Sequence, residues 1–284
     1  MKNLKNDIIK YEKISFFKKL GQKKFKRAVG IKIKTFEKLM ESLYKNISKK
    51  DKKKGGRPPK LSVEDKLLIT LAYYRDYSTQ LKIGIEYCVS ESCISKTIKY
   101  IENLLCKSIT FMIKGKKELI NKINDKIAID VTEIRIERPQ KKQKKYYSGK
   151  KKYHSIKAQI VATKNEIISI YIDTGKTHDF EMFKKSKLPI NIGNTILTDL
   201  GYQGIKKLHT NTKIPHKKTK NKKLTNKQKR YNKSISSDRV FIEHLNAKIK
   251  TFKMFSTRYR NHKKDILKRL NFIAAFINSD LKYF

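Results

Sequence analysis

The stretch KIAIDVTEIRIER, Lys126 to Arg138, decides the fold class. Its β-branched residues alternate with polar ones, the period of a strand rather than a helix. Two further runs of the same kind follow, Ser155 to Thr163 and Glu166 to Thr174, with Lys164-Asn165 between them as a hairpin turn. Beyond these the spacing predicts a helix over His178 to Lys187, a short strand over Thr195 to Thr198, and helices over Ser237 to Met254 and Lys263 to Tyr283. Three strands, a helix, a strand and closing helices imply an α/β sheet with helices packed on it.

Working outward toward the N-terminus, the period changes to helical. Ser62, with Glu64 and Asp65 in the first turn, starts a helix carrying Leu67, Leu68, Leu71 and Tyr74. A second helix fits Thr79 to Tyr87, and Ser90 caps a third that carries Ile94, Ile98, Ile101 and Leu105. Three short helices with the break Cys88-Val89-Ser90 fit a helix-turn-helix. Upstream, Phe16, Phe17, Leu20, Phe25, Val29, Phe36, Leu39 and Leu43 mark short basic helices that need a surface to pack on. The run KKKGGRPP, Lys52 to Pro59, reads as a linker or arm, and Lys217 to Arg230, nearly all Lys, Asn and Thr, as a loop. The expected division is a basic helical segment and linker over 1–56, a helix-turn-helix domain over 57–110 and a catalytic domain over 111–284.

Composition narrows the partner. Seventy Lys and Arg against 25 Asp and Glu give a net charge of +45, so a polyanion is expected. Lysine excess beside abundant Ile and Asn also fits an AT-rich coding genome, so charge names a partner class and no chemistry. Cys88, Cys93 and Cys106 form no CxxC pair and no zinc-finger spacing, which argues against a zinc site or a disulfide scaffold. No apolar run approaches the roughly 20 residues of a membrane span. The expectation is a cytoplasmic, nucleoid-associated protein without a membrane partner.

Acidic residues are scarce in the C-terminal half, which makes each one informative. Asp199 is the sole acid between Glu181 and Asp238 and closes the apolar run Ile196-Leu197-Thr198. Asp130 sits inside KIAIDV, where an uncompensated carboxylate would cost several kcal/mol. Either aspartate alone fits a buried ion pair equally well. Glu243 lies on a helix whose polar stripe is Arg239, Glu243, Asn246 and Lys250, and alone it fits an ordinary ion pair with Arg239. Together, three carboxylates from separate elements suit Mg²⁺ or Mn²⁺. Two such ions about 4 Å apart would activate a water or 3′-hydroxyl against a phosphodiester. His178-Asp179 fits a supporting pair beside the metals or a plain helix N-terminus. Tyr146, Tyr147 and Tyr153 sit among eight lysines between 141 and 157, suited to gripping a DNA backbone and stacking on unpaired bases, or simply to a solvated hairpin.

Six ordered motifs resemble one family: Asp130-Val131-Thr132 with Arg138-Pro139; Tyr147-Ser148-Gly149-Lys150-Lys151-Lys152-Tyr153-His154 with Lys157; Gly175-Lys176-Thr177-His178-Asp179; Asp199-Leu200-Gly201-Tyr202-Gln203-Gly204; Ile214-Pro215-His216-Lys217-Lys218; and Arg239-Val240-Phe241-Ile242-Glu243-His244. The chain resembles bacterial insertion-sequence transposases with a Harbinger-like DDE domain, the insertion sequence five group, over roughly residues 57 to 278. The resemblance implies an RNase H-like core and makes Asp130, Asp199 and Glu243 a metal-binding catalytic triad using two Mg²⁺ or Mn²⁺ ions. It implies DNA contacts from Lys150, Lys151, Lys152, Lys157, Arg239 and Lys250, and from Ser92, Ser95, Lys96 and Lys99 on the recognition helix. Ser236 stands where related transposases often carry tyrosine. The implied activity is strand cleavage and strand transfer, the implied partners are terminal inverted repeats and target DNA, and a homodimer or higher oligomer on DNA is expected. A decayed, non-enzymatic DNA-binding regulator is the alternative.

Overall fold

The computed structural model describes residues 19–47, 59–108, 111–218, 223–261 and 263–283. Phe16, Phe17 and the arm from Lys52 to Pro58 lie outside these residues. The chain forms two compact units, one of Met1–Met112 with Thr251–Met254 and Lys282–Phe284, the other of Ile113–Lys250 with Phe255–Leu281.

The first unit is helical: α1 Gly21–Val29, α2 Ile33–Asn46, α3 Val63–Asp76, α4 Gln80–Glu86 and α5 Glu91–Cys106. Ser62 starts α3 through a reciprocal capping box, its hydroxyl accepting from the Asp65 N–H at 3.0 Å while the Asp65 carboxylate accepts from the Ser62 N–H at 3.0 Å. Thr79 and Ser90 cap α4 and α5 in the simpler way, each hydroxyl accepting from an N–H three residues on. The α4–α5 turn is tight because Gly84 has no side chain. The Val89 N–H donates to the Gly84 carbonyl at 2.9 Å, and a Cβ on Gly84 would lie 2.7 Å from the Val89 carbonyl oxygen. The N-terminal helices find their surface on this bundle. Phe25, Val29, Phe36, Leu39 and Leu43 are buried, and the Asn46 amide on α2 donates to the Leu104 carbonyl on α5 at 3.5 Å.

The second unit is built on a mixed sheet of β1 Lys126–Arg135, β2 Tyr147–Ser148, β3 Tyr153–Ala162, β4 Ile167–Thr174, β5 Thr195–Leu197 and β6 Thr212–Lys213. β3 pairs antiparallel with β1 on one side and β4 on the other, and β2 pairs with the start of β3. β5 runs parallel to β1, and β6 parallel to β5. An antiparallel meander extended by parallel strands beside β1 is the RNase H-like arrangement that the resemblance implies. Ile127, Ile129, Val161, Ile168 and Ile196 supply one buried face, against which Phe183 of α6 Asp179–Ser186 packs. Two long helices complete the unit, α7 Asn226–Lys250 and α8 Ile266–Lys282. The two Asn278 amide contacts to the Ile167 backbone, at 2.7 and 2.8 Å, tie α8 to the start of β4.

Three expectations are corrected. The first strand stops at Arg135 rather than Arg138, and Ile136 continues only as an isolated bridge to Tyr259. The helix expected from Ser237 to Met254 begins at Asn226 and ends at Lys250, so Ser236 and Ser237 are internal to it. Its start is set by Thr225 and Gln228: the Thr225 hydroxyl accepts from the Gln228 N–H at 3.2 Å, and the Gln228 amide oxygen accepts from the Thr225 N–H at 3.0 Å. The loop expected over Lys217 to Arg230 is accordingly helical from Asn226 on, while residues 219–222 lie outside the described residues.

Candidate active site

Asp130 lies in the middle of β1, and Asp199 follows β5 by two residues. Ala128 pairs in parallel with Leu197, so Asp130 and Asp199 each lie two residues beyond a paired position, and the Asp199 carboxylate is near enough to act on that of Asp130. Asp199 is held by the tight turn after it, its Oδ1 accepting from the Gly201 N–H at 2.9 Å. The Asp130 side chain is 20% exposed. Burial pushes its pKa up to about 6; the Arg239 guanidinium opposes this, the Asp199 carboxylate adds to it, and hydrogen bonds from the Val131 N–H and Asn246 oppose it.

The partners of Asp130 come from α7. The Asn246 amide donates to Asp130 Oδ2 at 2.7 Å, and an Arg239 nitrogen lies 3.5 Å from Asp130 Oδ1. Arg239 and Asn246 are two turns apart and share the face that also buries Ile242 and Ile249. Glu243 is on the adjoining stripe, one turn from Arg239, and is exposed. Lys250, the last residue of α7, is exposed as well. Thus the structure brings Asp130, Asp199 and Arg239 together. Among the described residues no group of three His, Cys, Asp or Glu side chains is positioned to hold a metal ion.

A second ion pair backs the aspartates. Lys157 on β3 donates to Asp179 Oδ1 at 2.8 Å and to the Thr177 carbonyl at 2.8 Å. Lys157 is only 13% exposed, so its charge is spent inside the protein. Asp179 Oδ2 packs against Gly201, where a Cβ would sit 2.6 Å from it and 3.1 Å from Asp199 Oδ1. Only glycine lets both carboxylates approach this turn. His178 is exposed at the start of α6 and makes no side-chain cap. The Tyr202 ring is fully buried against Phe183, and burial raises its phenol well above its ordinary pKa, with Asp179, Asp130 and Asp199 adding to the effect.

The acceptors present suit a hard divalent cation: carboxylate oxygens are its preferred ligands, and the buried Asn246 Oδ1, on the side chain that donates to Asp130, has no hydrogen-bond partner, which is rare for a buried acceptor. Asn246 and Tyr202 were visible in the sequence as part of the polar stripe and of the Asp199 motif, without a role. The signal for Asn246 was its place at i+7 from Arg239.

The remaining candidates lie on the surface. Ser92, Lys96 and Lys99 are exposed and Ser95 half-buried on α5, opposite the buried Ile94, Ile98 and Ile101. Lys150, Lys151 and Lys152 are exposed at the tip of the β2–β3 hairpin. No described helix is long and apolar enough to cross a membrane.

Comparison with known proteins gives this geometry a family. Residues 129–278 match the family described as DDE superfamily endonuclease, and residues 59–111 match the helix-turn-helix of DDE superfamily endonuclease. A probable transposase for insertion sequence element IS702 from Microchaete diplosiphon is 39% identical over 273 residues, covering 95% of this chain and 98% of its own. A putative transposase for insertion sequence element IS112 from Streptomyces albus G is 24% identical over 79% of this chain and 82% of its own. Solved structures of the Mos1 strand transfer complex and of a pre-cleavage Mos1 transpososome align at 12% identity over 82% of each chain, with TM-scores of 0.22 and 0.18, too low to carry an argument. The family match over more than half of the chain, and a transposase relative aligned over nearly all of it, establish that the chain belongs to the DDE superfamily endonucleases, as a transposase with a helix-turn-helix ahead of its endonuclease domain.

Proposed function

We propose that the chain cleaves DNA at the ends of an insertion sequence and joins the freed strand to target DNA, with Asp130, Asp199 and Glu243 holding two divalent ions, Mg²⁺ or Mn²⁺. The observation that carries this reading is the placement of the Asp130 and Asp199 carboxylates, each two residues beyond the paired Ala128 and Leu197, with the unpartnered Asn246 Oδ1 beside Asp130. Bound there, the ions would activate a water or 3′-hydroxyl and stabilise the leaving oxygen of the phosphodiester.

The chain's own residues do the positioning. Asn246 fixes the rotamer of Asp130 through its amide, and Arg239 balances the charge of that carboxylate. The Gly201 N–H orients Asp199, and the Lys157–Asp179 pair braces the same turn from behind. Glu243, exposed on the same helix one turn from Arg239, would supply the third carboxylate. On the DNA side, Lys250 and the hairpin lysines Lys150, Lys151 and Lys152 contact the backbone. Ser92, Ser95, Lys96 and Lys99 read the terminal inverted repeats, as the outward face of a recognition helix does. A homodimer or higher oligomer brings two ends together.

Asp199→Asn tests the reading. It should abolish metal-dependent strand cleavage while end binding is kept or strengthened. Full cleavage by that variant sinks the proposal, and end binding without nicking by the wild type in either Mg²⁺ or Mn²⁺ favours a non-catalytic DNA-binding regulator.

A further inference from the structure

The β2–β3 hairpin gathers three tyrosines, and the structure distinguishes them. The Tyr146 ring is covered by the Lys263 ammonium, 4.1 Å from its centroid. The Tyr153 ring is covered by the Arg135 guanidinium at 5.4 Å. Tyr147 meets only the edge of His154, with ring centroids 5.6 Å apart and planes at 69°, and remains 44% exposed. The Tyr147 ring is tilted by 69° to the imidazole, and nearly half of the residue is open to solvent.

The surroundings are cationic. Lys144, Lys145, Lys150, Lys151 and Lys152 are all exposed around this corner. The nearby acid, Glu133, accepts from the Ser148 and Ser155 hydroxyls at 3.4 and 3.1 Å. It braces the hairpin rather than opposing the lysines.

We propose that this corner is a binding site for an unpaired nucleobase, stacked on Tyr147 with its backbone phosphates on the hairpin lysines; the proposal rests on the DNA-processing reading above. Aromatic faces beside cations are how proteins hold single strands, because every base offers a π-face once it is unstacked. A duplex offers base edges in its grooves and keeps its faces covered, so an exposed tyrosine ring gains little from it. The sheet also sets the distance. The Ile136 N–H donates to the His154 carbonyl, and Ile136 lies six residues past Asp130 along the same direction, about 20 Å at strand rise. A single strand leaving the Asp130–Asp199 pair spans that gap in about six nucleotides at stacked spacing.

The test is a binding measurement with the full chain in EDTA, where no cleavage occurs. A labelled short duplex is compared with the same duplex carrying a thymidine extension of about eight nucleotides, long enough to reach the corner. The wild type should bind the extended DNA about tenfold more tightly than the flush duplex. Tyr147→Ala should remove that preference and leave flush-duplex binding and the melting temperature unchanged. Tyr147→Phe, which keeps the ring, should bind both DNAs as the wild type does. The proposal is overturned if the wild type shows no preference, if Tyr147→Ala weakens both DNAs equally or neither, or if Tyr147→Phe loses as much as Tyr147→Ala. Because no turnover is read, this outcome is independent of the Asp199→Asn result.

Discussion

Asp130 carries a charge that its position disfavours, and this has a measurable pH signature. The unfolded chain releases the proton near the ordinary value of 3.8, and the folded, metal-free protein keeps it up to about 6. Protonation is therefore coupled to folding between these values: the contribution of Asp130 to stability is fully present below about 4 and is lost as pH rises through about 6, by roughly 3 kcal/mol. Asp130→Asn imitates the protonated form. In EDTA at neutral pH it should melt higher than the wild type, and the difference should vanish near pH 4, while strand cleavage is abolished. A variant that melts at or below the wild type throughout that window would refute the assignment. At this scale Asp130 stood out in the sequence because a carboxylate in an apolar strand contradicts its surroundings, and Asp199 because no other acid lies between Glu181 and Asp238. Asn246 was not: an asparagine on a polar helix stripe suggests solvent, and only the packing of α7 shows its amide on Asp130.

The elements divide along similar lines. Strands of β-branched residues and helices with apolar stripes declare themselves, and Ser62, Thr79 and Ser90 mark three helix starts within a residue. The start of α7 was hidden because residues 226–234 carry no apolar stripe, so periodicity is silent there; the signal that remained was the capping pair Thr225 and Gln228. The α4–α5 turn shows what a single missing side chain does for an element. Gly84→Ala forces a methyl group to within 2.7 Å of the Val89 carbonyl. The turn must open, at a cost of about 1–3 kcal/mol, and α5 must shift with it. Sequence-specific binding should drop more than non-specific binding. Chemical denaturation and competition against unrelated DNA measure the two effects, and an unchanged specificity ratio would show that the turn does not set the recognition surface.

For the whole molecule, the charge of +45 governs association. Lys96 and Lys99 on α5 and Lys150, Lys151 and Lys152 on the hairpin are exposed, so DNA affinity should fall steeply with salt, by a slope of about 0.9 for each phosphate engaged. Replacing Lys96 and Lys99 together by Ala should reduce that slope by about 2 in titrations from low to high salt. An unaltered slope would mean that α5 docks without these lysines. Charge alone never separated a transposase from any other polyanion binder; the separation came from a few acids placed where a basic chain has least reason to keep them.

Arg239 and Asn246 have a consequence for the life history of the protein. Since Asp130 already has an internal cation and an internal amide beside it, part of the cost of its buried charge is met by the chain itself before any mineral ion arrives. On the metal-dependent reading proposed above, birth and arming are separate events: the chain folds first, and the later supply of the ion decides when it can cut.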